Sequence, residues 1–143
     1  MTETVDIKID LSADYWDERY PGARVYIDSQ LIFNDIIIDA TQVTWSGELA
    51  DGDHKIIVEM YDKKWGDTVT DENNNIVKDV ILNIDNISID TIDLGILLWT
   101  KSTYYPVDGI PRKSLDNCVN LGWNGKWEIG FESPVYMWLL ENI

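Results

Sequence analysis

Near the start of the chain Val5, Ile7, Ile9 and Leu11 alternate with Asp6, Lys8 and Asp10. Apolar residues at a spacing of two put one face of an extended strand against a core and the other in water; a helix would scatter them around its axis. The same period governs much of the chain. Residues 24–28, 30–38, 42–49, 54–61, 77–84 and 86–92 read as further strands, with Ser29 between the first two and Asn34-Asp35 as a bulge or turn. Within 54–61, Ile56, Val58 and Met60 face one way while Lys55, Ile57, Glu59 and Tyr61 face the other. Asp51-Gly52 and Asn124-Gly125 are dipeptides that two-residue primed turns favour, so hairpins are expected over residues 42–61 and 121–129. About eight short strands punctuated by turns predict an all-β fold, an antiparallel β-sandwich of jelly-roll type. At the end, Ser133-Pro134 supplies an N-cap and a first helical residue, and Val135, Trp138 and Leu139 then share one face. A short C-terminal helix is expected there, with a final strand as the alternative.

A length of 143 residues suits one domain, and 45 % hydrophobic residues suffice for its core, which excludes a globally disordered chain. The pattern divides it into a core over residues 1–95 and a C-terminal extension over 96–143 that carries the Asn-Gly hairpin. Charge narrows the partners. With 26 Asp and Glu against 11 Lys and Arg, the net charge is −15. Phosphates and anionic lipid are repelled, so nucleic acid and membrane surfaces are excluded, leaving a protein, a cation or a neutral sugar. The apolar runs at 36–38 and 95–99 are too short to span a bilayer. Met1 leads straight into the first strand without a basic and then apolar leader, so no secretion signal is expected. A single cysteine, Cys118, excludes intrachain disulfides and a multi-cysteine zinc site, and reads as a buried or half-buried thiol.

The catalytic inventory is thin. His54 is the one histidine and opens a strand, where it reads as a hydrogen-bonded turn residue rather than a base. No nucleophile elbow, P-loop or dinucleotide fingerprint is present, and the expectation is a protein that is not an enzyme. A glycan-processing enzyme using two carboxylates is the least favoured alternative. Acids concentrate around the polar segment at residues 63–76: Asp62, Asp67, Asp71, Glu72 and Asp79, with the amides of Asn73, Asn74 and Asn75 among them. Ca2+ takes six to eight oxygens of this kind, which makes Asp62, Asp67, Asp71 and Asp79 candidate metal ligands. The pattern is not that of an EF-hand, and a solvated acidic face is the plainer alternative. Trp65, Tyr104 and Tyr105 fall in expected loops and could stack on the apolar faces of sugar rings. The alternative, that loop aromatics cap the ends of a sandwich, is favoured for Trp16. Residues 101–117, with Pro106, Gly109 and Pro111, read as an excursion over the surface.

Several landmarks then combine. Tyr20-Pro21-Gly22-Ala23-Arg24-Val25-Tyr26-Ile27-Asp28 forms an early turn and strand, and Leu49-Ala50-Asp51-Gly52-Asp53-His54-Lys55-Ile56 a Gly-x-His-x-Ile turn. Met60-Tyr61-Asp62 ends that strand, and Asp79-Val80-Ile81-Leu82-Asn83-Ile84-Asp85 continues into Ile87-Ser88-Ile89-Asp90. With these, residues 23–95 resemble the calcium-dependent, xylan-binding type of carbohydrate-binding module, a β-sandwich. Where members of that family carry Asn-Asp this chain has Asp62-Lys63, and where they carry Asp-Arg-Asn-Leu it has Asp79-Val80-Ile81-Leu82. Asp79 is kept while a cation replaces the second acid, so the resemblance implies the sandwich more strongly than it implies calcium. Residues 66–79, Tyr104-Tyr105-Pro106 and the segment from Gly122 to Asn142 are similar to proteins of tailed bacteriophages. Together these imply a non-catalytic, carbohydrate-binding-like module on a virion, as a capsid decoration or tail-associated protein made in the host cytoplasm. Its partners would be a polysaccharide and a virion structural protein, with Trp138, Tyr136 and Leu139 as docking anchors. The alternative is a structural virion protein without sugar binding.

Overall fold

The computed structural model describes residues 1–107 and 114–143; Gly109 and Pro111 of the expected surface excursion lie outside them. Elements are numbered in chain order. In one sheet β1 (Thr2–Asp14) lies between β4 (Thr41–Ala50) and β8 (Ile81–Ile89), and β8 also pairs with β9 (Ile92–Asp93) and β12 (Asn120–Leu121). The other sheet runs β11 (Leu115–Asp116), β10 (Ser102–Pro106), β13 (Gly125–Ser133), β5 (Gly52–Tyr61), β2 (Gly22–Ile27) and β3 (Gln30–Ile36). A separate small hairpin joins β6 (Val69–Thr70) to β7 (Ile76–Lys78), and two helices, α1 (Leu97–Thr100) and α2 (Val135–Asn142), occur later in the chain. Every pairing is antiparallel. This is the expected β-sandwich.

Alternation builds the core. Val5, Ile7, Ile9 and Leu11 of β1 are buried, and Val25, Ile56, Val58, Met60, Trp127 and Ile129 from the other sheet join the same cluster. Burial of each aliphatic side chain is worth about 1.5–3 kcal/mol, so the faces of β1 alone go far towards fixing its place. The strand expected to break near residue 85 is continuous. Leu11 pairs with Ile84 and Asp10 with Asn86, so Asp85 is the extra residue of a bulge. The bulge shifts the phase by one, which lets Leu82 and Ile84 before it and Ile87 and Ile89 after it all point inward.

Both hairpins expected from Xaa-Gly dipeptides are crossings between sheets. β4 and β5 flank Gly52, whose φ is +120°, yet β4 pairs with β1 while β5 pairs with β13 and β2. Likewise Asn124-Gly125 carries the chain from β12 in one sheet to β13 in the other. A glycine turn redirects the backbone; whether its flanking strands then pair depends on which edges remain free. At Gly125 glycine is required for a second reason, because a Cβ would stand 2.4 Å from the carbonyl oxygen of Tyr105 and 2.6 Å from Pro106 Cα. Residues 96–143, read as an extension, are woven into both sheets through β10 to β13.

The C-terminal helix forms as α2, but its N-cap is Pro134 in an extended conformation, and Ser133, expected as the cap, bonds no helix N–H. Its hydroxyl donates to Glu3 Oε2 at 2.5 Å, and the same oxygen accepts the Val135 backbone N–H at 3.0 Å. A carboxylate from β1 thus serves the helix N-terminus. Trp138 and Leu139 are buried, with Trp138 edge-on to Phe131 at a centroid distance of 6.3 Å. Expected as docking anchors, these two side chains instead fix α2 to its own sheet. Tyr136 alone of the three faces solvent.

Candidate functional site

The long segment after β5 is stitched to the body of the sandwich at its base. Asp62, at φ +67°, turns the chain out of β5. Asn124 then grips the next residue from both sides: Lys63 N–H donates to Asn124 Oδ1 at 2.9 Å, and Asn124 Nδ2 donates to the Lys63 carbonyl at 3.0 Å. The Lys63 side chain is only 8 % exposed. Its ammonium donates to Asp79 Oδ1 at 2.6 Å and to the Gly122 carbonyl at 2.5 Å, and lies 5.6 Å from the centre of the Trp123 ring. Asp79 Oδ1 also accepts the Thr68 hydroxyl at 2.6 Å and the Val80 N–H at 2.8 Å.

Asp67 makes a second anchor. It is buried, and its two carboxylate oxygens accept Arg19 at 2.8 Å and the Lys64 N–H at 2.8 Å. Its carbonyl accepts the Trp16 indole N–H at 2.7 Å, while the guanidinium of Arg19 and the ammonium of Lys78 lie 4.6 and 4.8 Å from the Trp16 ring centre. Trp16 therefore packs under cations at the end of the core. Asp71 closes the β6–β7 turn, accepting the N–H groups of Asn73 and Asn75 at 2.8 and 3.0 Å. The bonds from Asn75 and Asn73 hold its carboxyl below the usual range. Asp62 is exposed and stands 3.9 Å from the Lys64 ammonium.

The four carboxylates expected around one metal are thus not brought together. Asp79 has Lys63, Asp67 has Arg19 and Asp71 has its own turn. Among the described residues no group of three or more His, Cys, Asp or Glu is placed to hold a metal ion. The expected aromatics divide as well. Tyr104, 1 % exposed, accepts the Trp123 N–H at 3.0 Å and donates its hydroxyl to the Trp123 carbonyl, and burial pushes its phenol up. It belongs to the core and cannot meet a ligand. Tyr105 points outward from the same strand, and Trp65, next to Gly66 at φ +96°, is fully exposed.

A groove of about 460 Å³ lies between the turn at residues 17–20 and the segment at 62–67, and Trp65 follows its lining residue Lys64 in the chain. Asp17, Glu18, Arg19, Tyr20, Asp62 and Lys64 line it. Three of them are non-glycine residues in the left-handed region: Asp17 at φ +50°, Glu18 at +57° and Asp62 at +67°. Aspartate adopts this region readily in turns, so of the three only Glu18 carries a cost, about 1–2 kcal/mol. The Tyr20 phenol is held above its ordinary value, by burial first and then by Tyr15, Glu18 and Asp39. Carboxylates, a phenol and an ammonium suit a neutral polyol, whose paired hydroxyls bond to the charged and polar groups. Sequence patterning missed Asp17 to Tyr20, which form a non-periodic turn.

His54 is structural. Its Nδ1 lies 2.8 Å from Asp28 Oδ2 and its Nε2 2.6 Å from the Ala50 carbonyl, so neither ring nitrogen is free to act as a base. Burial lowers its pKa, but the bond to Ala50 and the bond and charge of Asp28 outweigh that and hold it above the ordinary value.

No protein-family model matches the sequence, and no curated protein matches it. Two solved structures share the fold. One, vCBM60 in complex with galactobiose, superposes with a TM-score of 0.52 at 11 % identity, over 87 % of this chain and 97 % of that one. The other is a selenomethionine form of vCBM60, described with a circular permutation that links two families of calcium-dependent carbohydrate-binding modules. It superposes with a TM-score of 0.58 at 12 % identity, over 88 % of this chain and 90 % of that one. The chain folds like a carbohydrate-binding module. Calcium belongs to the description of those families, and the residues of this chain do not fit it: the carboxylates nearest the sandwich end are already neutralised by Lys63 and Arg19.

Proposed function

We propose that this protein is a non-catalytic glycan-binding module and that its ligand lies in the groove between the 17–20 turn and the 62–67 segment, stacked on Trp65. One observation carries this: on a carbohydrate-binding-module fold, a fully exposed indole immediately follows Lys64, which lines a polar groove whose wall includes Asp17, Glu18 and Asp62 at positive φ. An isolated exposed tryptophan has no role in the fold, since it buries nothing. A neutral β-galactoside is the first ligand to test, because the solved relative carries galactobiose. Affinity electrophoresis in galactan and xylan gels and calorimetry with galactobiose test the proposal. Trp65→Ala is expected to weaken binding at least about tenfold, or 1.4 kcal/mol, with an unchanged unfolding midpoint. Binding to no polysaccharide, or binding indifferent to Trp65→Ala, would sink it.

We further propose a virion-surface location, in which the module displays this groove on a bacteriophage particle; the outward face of α2 supports it. There Tyr136, Met137, Leu140 and Ile143 are exposed, and such side chains serve as interface anchors. Substituting Tyr136 and Leu140 by Ser should then abolish particle attachment without changing glycan binding.

A further inference from the structure

We infer that Lys63 is a built-in cation that does the structural work of a divalent ion, so that the sandwich end is assembled without calcium. A cation that holds this end of the sandwich together has three separate pieces of chain to join through oxygen atoms. The Lys63 ammonium already joins them. It takes a carboxylate oxygen from Asp79 at the entry to β8 and a backbone carbonyl from Gly122 in the crossing to β13, and it is carried by the segment that leaves β5. Its own backbone is locked on both sides by Asn124, so the ammonium is delivered to a fixed point rather than left to search for it. Thr68 and Val80 supply further donors to the same Asp79 oxygen.

Charge and space both oppose a metal. The ammonium supplies the positive charge that the carboxylate needs, and at 8 % exposure it fills the volume an ion would take. A divalent ion could bind Asp79 only by driving a buried, hydrogen-bonded ammonium into solvent, leaving one carboxylate, one carbonyl and one hydroxyl where calcium wants six to eight oxygens. The second anchor repeats the device with an arginine on Asp67. Assembly of the fold through Lys63 is independent of whether the groove binds a glycan.

The test begins with the unaltered full chain. Thermal unfolding followed by Trp fluorescence in millimolar CaCl2 and in EDTA, at matched ionic strength, is expected to show no calcium-dependent shift that Asp79→Asn removes. Terbium is expected to show no saturable emission sensitised by Trp123 that Asp79→Asn removes. Emission that Asp79→Asn leaves unchanged reports ions elsewhere on the acidic surface and upholds the assignment. A calcium-dependent rise in the midpoint that Asp79→Asn removes, or terbium emission abolished by Asp79→Asn, would overturn it, since the metal would then be displacing the lysine; a rise that Asp79→Asn leaves intact reports surface ions and upholds it. Variants give the second readout. Lys63→Met and Asp79→Asn should each lower the midpoint by roughly 10 °C, and the double variant should be no worse than the worse single one. Additive losses would show that the two residues are not coupled, which also refutes the role assigned to Lys63. Glycan gels run with and without EDTA keep the two proposals apart: loss of sugar binding in both conditions counts against the groove and leaves Lys63 untouched.

Discussion

The base and the tip of the segment between β5 and β8 are built from the same residue types and meet opposite fates. At the base, Asp67 and Asp79 are drawn towards the protein and each is met by a cation, Arg19 or Lys63. At the tip, Asp71 and the asparagines after it satisfy one another across a two-strand turn and remain in water. Acid density is alike at the two ends. What differs is whether another part of the chain brings a positive group within reach, and that decides between a buried strut and a solvated turn. In a protein of net charge −15, Lys63 and Arg19 stand where these two carboxylates leave water.

That contrast can be broken by substitution, and the largest effect is expected at the base. Asp67→Ala removes a buried carboxylate, strands the Lys64 N–H and frees Arg19, and should cost about 3 kcal/mol in chemical denaturation. A loss near zero would mean that the base is no more anchored than the tip. A smaller effect is expected at His54, whose pair with Asp28 ties the β4–β5 crossing to the β2–β3 turn. Its folded pKa lies above the ordinary 6.5. Its contribution is therefore complete below that value and is lost as pH rises through the raised folded value. Unfolding midpoints followed upward from pH 6 should fall for the native chain, and His54→Gln should flatten that slope. The smallest effect belongs to the tip: Asp71→Ala should leave the global midpoint nearly unmoved while loosening amide exchange protection at Asn73 and Asn75. A large global loss there would erase the contrast.

The candidate site is partly legible in the sequence. Trp65 stands out because an aromatic residue in a polar, glycine-punctuated segment has no strand face to occupy, and it is indeed exposed. Tyr104 and Tyr105 look equivalent, adjacent in a segment without clear period; β10 then alternates them, one into the core and one outward. The pairing of Lys63 with Asp79 and of Arg19 with Asp67 has no local signature, because the partners are separated by other elements and are neighbours only in the folded structure.

The sequence by itself determined which side chains of each strand face inward, since the direction of Cβ alternates along an extended chain whatever lies beside it. The same local physics set the sandwich class and the C-terminal helix. Tertiary structure alone decided which strands are neighbours, turning two glycine turns into crossings between sheets, and which carboxylates acquire a cation. Strand partners and ion pairs are chosen by edges and charges that arrive from distant parts of the chain, and a local pattern carries no information about what will arrive.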